Sequence, residues 1–116
     1  MLIDVTFPGG LKVDARLAGH TVHSDQREKN EGDGSAPPPF DLFLASIATC
    51  KGFYALRFCQ QREIDTEGLA LTLETVKDPD TKMIRTIRTR LTLPTGFPDK
   101  YVRAVERSMD QCTVKR

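Results

Sequence analysis

The chain has 116 residues, of which 39% are apolar and 28% charged, a size and balance suited to one globular domain with its own core. Seventeen Lys and Arg against sixteen Asp and Glu leave a net charge of +1, which removes any whole-molecule electrostatic case for nucleic acid or an anionic membrane as partner. The densest apolar stretch, Phe40 to Cys50, is interrupted by Asp41 and closed by Lys51, short of the ~18 residues a membrane span needs, and the first residues do not read as a secretory leader. A cytoplasmic protein is therefore expected. In that compartment the three cysteines, Cys50, Cys59 and Cys112, are expected to act as reduced or redox-active thiols and not as a disulfide framework.

Ile3, Val5 and Phe7 alternate with Asp4 and Thr6, and Leu11, Val13, Ala15 and Leu17 alternate with Lys12, Asp14 and Arg16, so both segments predict half-buried strands. Pro8-Gly9-Gly10 joins them as a hairpin, and Gly19 to His23 supplies a third strand. Ser24 to Pro39 collects six charged residues, two glycines and three prolines, which predicts a long exposed loop. Phe40 to Arg62, with one glycine and no proline, predicts a long helix after the Pro37-Pro38-Pro39 stop. Its first half is apolar nearly all round, as in a helix that runs through a protein centre or an oligomer interface. Leu69 to Val76 and Met83 to Leu93 read as two strands joined at Asp78-Pro79-Asp80-Thr81. Thr95-Gly96-Phe97-Pro98 opens a last helix, with Pro98 near its first position, and Tyr101, Val102, Val105, Met109 and Cys112 fall on one buried stripe. The order defines an α+β domain over residues 1–116.

Cys50 and Cys59 lie nine residues apart on one helix, on opposite faces and about 13 Å apart along the axis, beyond the ~7 Å that bridged Cα atoms tolerate. An intrachain disulfide would therefore join Cys112 to one of them. Around Cys50, the helical neighbours Ile47, Phe53 and Tyr54, with Phe43 a turn further, make an apolar, aromatic-lined thiol and a candidate binding surface. Such surroundings raise a thiol pKa, so reactivity would need a nearby cation; Arg57 is the candidate within the helix, and another segment or subunit is the better source. Cys59 reads as a packing residue. Only two histidines are present, and His20 and His23 fall on opposite faces of a strand, so no metal site is expected. Lys82, Arg85, Arg88 and Arg90 read as a solvated strand.

The run Ala36-Pro37-Pro38-Pro39-Phe40-Asp41-Leu42-Phe43-Leu44-Ala45-Ser46-Ile47-Ala48-Thr49-Cys50 resembles the proline-led cysteine helix of the OsmC-like family, whose relatives include the organic hydroperoxide resistance proteins. Gly19-His20-Thr21-Val22-His23-Ser24-Asp25-Gln26 and Asp110-Gln111-Cys112-Thr113-Val114 resemble two further family features. The resemblance implies an intertwined homodimer with the long helices packed centrally. It implies a cofactor-free thiol peroxidase in which Cys50 attacks an organic hydroperoxide, Cys112 resolves the sulfenic acid, and a dithiol reductant restores the pair. The family's arginine is carried onto Arg16, with His20 and Arg27 as competitors. Its acid is carried onto Asp41, one residue closer to the cysteine and one methylene shorter than the family's glutamate. The alternative within the same fold is a non-catalytic dimer that binds a small ligand beside Cys50 or senses redox state; thioester chemistry at the same thiol would lack an adjacent histidine base. The family continues past its second cysteine into a segment that completes a sheet, so the end at Arg116 is expected to reflect a shortened or truncated domain.

Overall fold

The computed structural model describes residues 1–112, so Thr113 and Val114 of the C-terminal motif lie outside it. The elements in chain order are β1 (Asp4–Gly9), β2 (Lys12–Leu17), β3 (His20–Ser24), α1 (Pro39–Gln61), β4 (Ala70–Lys77), β5 (Ile84–Thr92) and α2 (Val102–Met109). They fall into two compact units, Met1–Phe43 and Leu44 onward. The predicted elements are all present, with ends shifted by no more than four residues, but β1, expected to be half-buried, is exposed along its whole length. The last helix shows the largest shift: Pro98 is extended at φ −67° and ψ 129°, and a single 3-10 turn, Asp99–Tyr101, precedes α2.

In the first unit β1, β2 and β3 form an antiparallel sheet in sequence order. Ala18 and Gly19 turn β2 into β3 with φ of 48° and 79°, the left-handed pair that a two-residue hairpin requires. The segment after β3 is the expected long loop and is mostly exposed, but it folds around Asp25, which is only 1% exposed. The Asp25 carboxylate accepts from the Gln26 amide at 2.7 Å, the Ser35 amide at 3.1 Å and the Ser35 hydroxyl at 2.7 Å, while its own amide donates to the Pro37 carbonyl at 3.3 Å. A 3-10 turn, Glu28–Asn30, lies inside the loop. Gly32 packs directly on the Gln26 carbonyl, where a Cβ would collide with the backbone. Lys12 on β2 reaches Asp33 at 2.7 Å. Short polar side chains here take over the organising role of apolar packing, which a hydrophobicity pattern cannot register.

In the second unit β4 and β5 pair antiparallel with Leu71 opposite Leu91 and Leu73 opposite Thr89. Their connection is held by the Asp78 carboxylate, which accepts from the amides of Asp80 and Thr81 at 2.9 and 3.1 Å. The core consists of Ala55 and Phe58 from α1 with Val105 and Met109 from α2, and Leu71, Leu91, Leu93, Phe97, Tyr101 and Ala104 pack around it. By length and composition α1 reaches what a membrane span needs, because the helix runs on past Lys51, the residue that closes the densest apolar stretch. Here it supplies half of a packed core.

The hydrogen bonds to the Asp25 carboxylate favour its charged form and lower its pKa from 3.8 to about 2. A depressed carboxyl contributes stability that is complete above its unfolded pKa and is lost as pH falls through the folded one. Asp25→Asn should therefore lower the urea midpoint at pH 7 and flatten the wild-type loss of stability between about pH 4 and 2. An unchanged pH slope in the variant would remove Asp25 as its cause. In the second unit, Met109→Ala should cost about 2–5 kcal/mol in chemical denaturation, as for a large side chain deleted from a packed core.

Candidate thiol site

Five α1 residues are buried: Ile47, Lys51, Ala55, Phe58 and Cys59. Their spacing of four, four and three or four residues is a single helical stripe. Cys50 precedes Lys51 by one residue, about 100° around the helix, so its side chain flanks the stripe and is half-buried. Of the residues expected around it, Ile47 is buried at 5% exposure, whereas Phe43 and Phe53 remain 48% and 52% exposed. Phe53 meets Tyr54 edge-on with ring centres 5.4 Å apart. In the first unit Phe43 packs on Phe40 at 5.9 Å. Arg57, the cation proposed within the helix, donates to the Gln60 side chain at 3.2 Å.

Two contacts fix the direction of α2 against α1. Phe58 meets Tyr101 edge-on at 5.7 Å, and the Ser108 hydroxyl donates to the Tyr54 carbonyl at 3.5 Å. Numbers fall on α1 as they rise along the C-terminal segment, so the two run antiparallel. Cys50 precedes Tyr54 by four residues and Cys112 follows Ser108 by four. The helix ends at Met109, so Cys112, expected on its stripe, lies three residues beyond it; it is fully buried, its amide donating to the Met109 carbonyl at 3.3 Å.

Cys59 is also fully buried. Burial pushes its thiol pKa up, opposed in part by the Arg62 charge. That guanidinium stacks 3.6 Å over the Phe58 ring and donates to the Phe58 carbonyl at 3.3 Å. Cys59 thus has the surroundings of a packing residue, as its sequence position suggested.

In the first unit Asp41 lies in the first turn of α1 and binds Arg27, with Nη2 and Oδ2 2.7 Å apart. Arg16, the arginine expected to take the family role, is exposed on β2, between Asp4 and Thr21 in the sheet register. His20 is exposed opposite Leu17. The cation beside the acid is therefore Arg27, one of the two competitors. Sequence reasoning missed the burial of Lys51, although the four-residue steps from Ile47 through Lys51 to Ala55 carried the signal.

A family model described as OsmC-like protein matches residues 32–116. The α+β order and the cysteine helix place the chain in a known structural class, and the chain belongs to the OsmC-like family. A protein of Psychrobacter arcticus 273-4 assigned to the osmotic stress induced and detoxification response is similar in structure, with a TM-score of 0.80 and 24% identity over 97% of this chain and 83% of that one. An organic hydroperoxide resistance protein OsmC of Legionella pneumophila, described as a predicted redox protein and regulator of sulfide bond formation, has a TM-score of 0.58 and 17% identity over 97% of this chain and 84% of that one. A search of curated proteins gives no match.

Exposure orders the thiols. Iodoacetamide applied to the native reduced protein should label Cys50 well before Cys59 and Cys112. Peptide mapping of a time course would show the order, and early labelling of Cys59 would contradict the environment described for it.

Proposed function

We propose that the protein is a thiol-dependent peroxidase that reduces organic hydroperoxides with Cys50 as nucleophile and Cys112 as resolving thiol. The observation that supports this reading is the antiparallel contact of α1 with the C-terminal segment, in which the Ser108–Tyr54 hydrogen bond joins residues four positions from Cys112 and from Cys50. The Cys50 thiolate attacks the distal peroxide oxygen and breaks the O–O bond, leaving a sulfenic acid and, after proton uptake, an alcohol. The Cys112 thiol then displaces water from the sulfenic sulfur to form a disulfide. An external dithiol reduces that disulfide and is itself oxidised. No cofactor takes part.

The roles of cation and acid are assigned to Arg27 and Asp41, on the strength of their 2.7 Å ion pair, with Arg16 as the alternative arginine. Ile47, Tyr54, Phe53 and Phe43 are assigned to the surface that receives the hydroperoxide tail. A cytoplasmic homodimer is the proposed form. Its support is the exposed apolar side chains of α1, among them Phe40 at 52%, Phe53 at 52% and Leu56 at 37%, which water leaves unfavourably solvated in a lone chain.

The test is to treat the reduced protein with one equivalent of cumene hydroperoxide, or of hydrogen peroxide, and to map oxidised cysteines by mass spectrometry. Expected are a Cys50–Cys112 disulfide that forms faster with the organic peroxide, none in Cys50→Ser, and a trapped sulfenic acid in Cys112→Ser. Arg27→Ala should slow the first step roughly tenfold or more, since each pKa unit of lost thiolate stabilisation is worth ~1.4 kcal/mol, while Arg16→Ala should leave it unchanged. Slow, unselective oxidation with both thiols surviving would overturn the reading and favour a binding or sensing role.

A further inference from the structure

Lys51 presents a problem of charge. Its side chain is only 7% exposed, on the buried stripe of α1, yet it makes no hydrogen bond or ion pair with any described residue. Its aliphatic stem is buried while the ammonium nitrogen keeps contact with solvent, so its three N–H donors are open to an incoming anion. The side chain opens into a cavity of about 430 Å³ in the second unit, which falls in the size range of small-molecule sites. Leu91, Leu93, Val105 and Met109 form apolar walls of this cavity, and Thr89, half-buried on the inward face of β5, adds a hydroxyl. Cys50 is not among its lining residues, so the cavity is a separate feature from the thiol.

We propose that this cavity binds a small amphipathic monocarboxylate. The Lys51 ammonium and the Thr89 hydroxyl donate to the carboxylate, and a short hydrocarbon tail covers Leu91, Leu93, Val105 and Met109. The remaining charges select for one negative charge over two. Glu106 and Asp110 line the same cavity with Arg90, and all three are exposed. Among the described residues that line the cavity, two cations and two acids balance, so a monoanion adds a single charge to them, whereas a dianion adds two beside two carboxylates. The cation on the buried stripe and the exposed acids also separate the roles: the first anchors, the second discriminates.

The experiment is a titration of the reduced full chain with sodium octanoate, followed by calorimetry and by amide chemical shifts. Octanol, octylamine and octyl phosphate serve as comparison probes. Octanoate should bind at one site per chain and shift the amides of Lys51, Thr89 and Met109. Lys51→Met should weaken octanoate by at least ~10-fold, as expected for loss of a charge-assisted hydrogen bond, and leave octanol unaffected. Thr89→Val, which leaves the lysine in place, should weaken octanoate by a smaller factor and provides an independent test should Lys51→Met not fold. Equal binding of octanol, tighter binding of octylamine or octyl phosphate, undiminished binding by both variants, or the absence of saturable binding would each overturn the proposal. Because Cys50 does not line the cavity, Cys50→Ser should bind octanoate as the wild type does, so failure of the peroxidase reading leaves this result interpretable.

Discussion

The second unit depends on which stripe of a nearly all-apolar helix is buried. An α-helix that offers hydrophobic side chains in every direction has no intrinsic inner face, and the choice falls to what packs against it. Here β4, β5 and α2 select the line through Ile47, Lys51, Ala55 and Phe58. The selection sets the exposure of every other residue on α1. Cys50 falls on the flank of the stripe, between full burial and full exposure. The same choice draws the aliphatic stem of Lys51 inward, a cost offset by long-stem packing and by the opening of the cavity at the charged end.

The N-terminal unit follows a different logic. Its sheet leaves Ile3, Val5 and Phe7 between 51% and 76% exposed, so its internal order owes less to a core than to hairpin turns and to one buried carboxylate. Asp25 gathers backbone and side-chain donors from both ends of the loop. It thereby sets the path of the chain toward the three prolines and the start of α1. The ion pair of Arg27 with Asp41 ties that same loop to the first turn of the helix.

How far the sequence foretold these features differed by the kind of interaction. Leu11 to Leu17 alternates in sequence without alternating in burial, whereas the α2 stripe through Val105 and Met109 was readable because burial imposes a period. The loop from Ser24 to Pro39 was not, because Asp25 and Ser35 act through hydrogen bonds that have no period and that charged composition disguises as solvation. Arg27 could be named only as one of three basic candidates, since strand register says nothing of where a folded loop returns its side chains. Lys51 was passed over because a lysine is normally an exposed residue, and a charged side chain at a stripe position is discounted by any reading based on hydrophobicity.

In the proposed reaction a disulfide joins Cys50 and Cys112, two cysteines far apart in the chain. Joining them would close a covalent ring of about 60 residues, which includes most of α1, the whole β4–β5 hairpin and α2. Such a ring restricts the unfolded ensemble by ~4 kcal/mol in the chain-entropy view. Oxidation state and resistance to unfolding would then be coupled in one molecule: the reduced chain would be the looser form, and each turnover of the proposed reaction would pass through a stapled one.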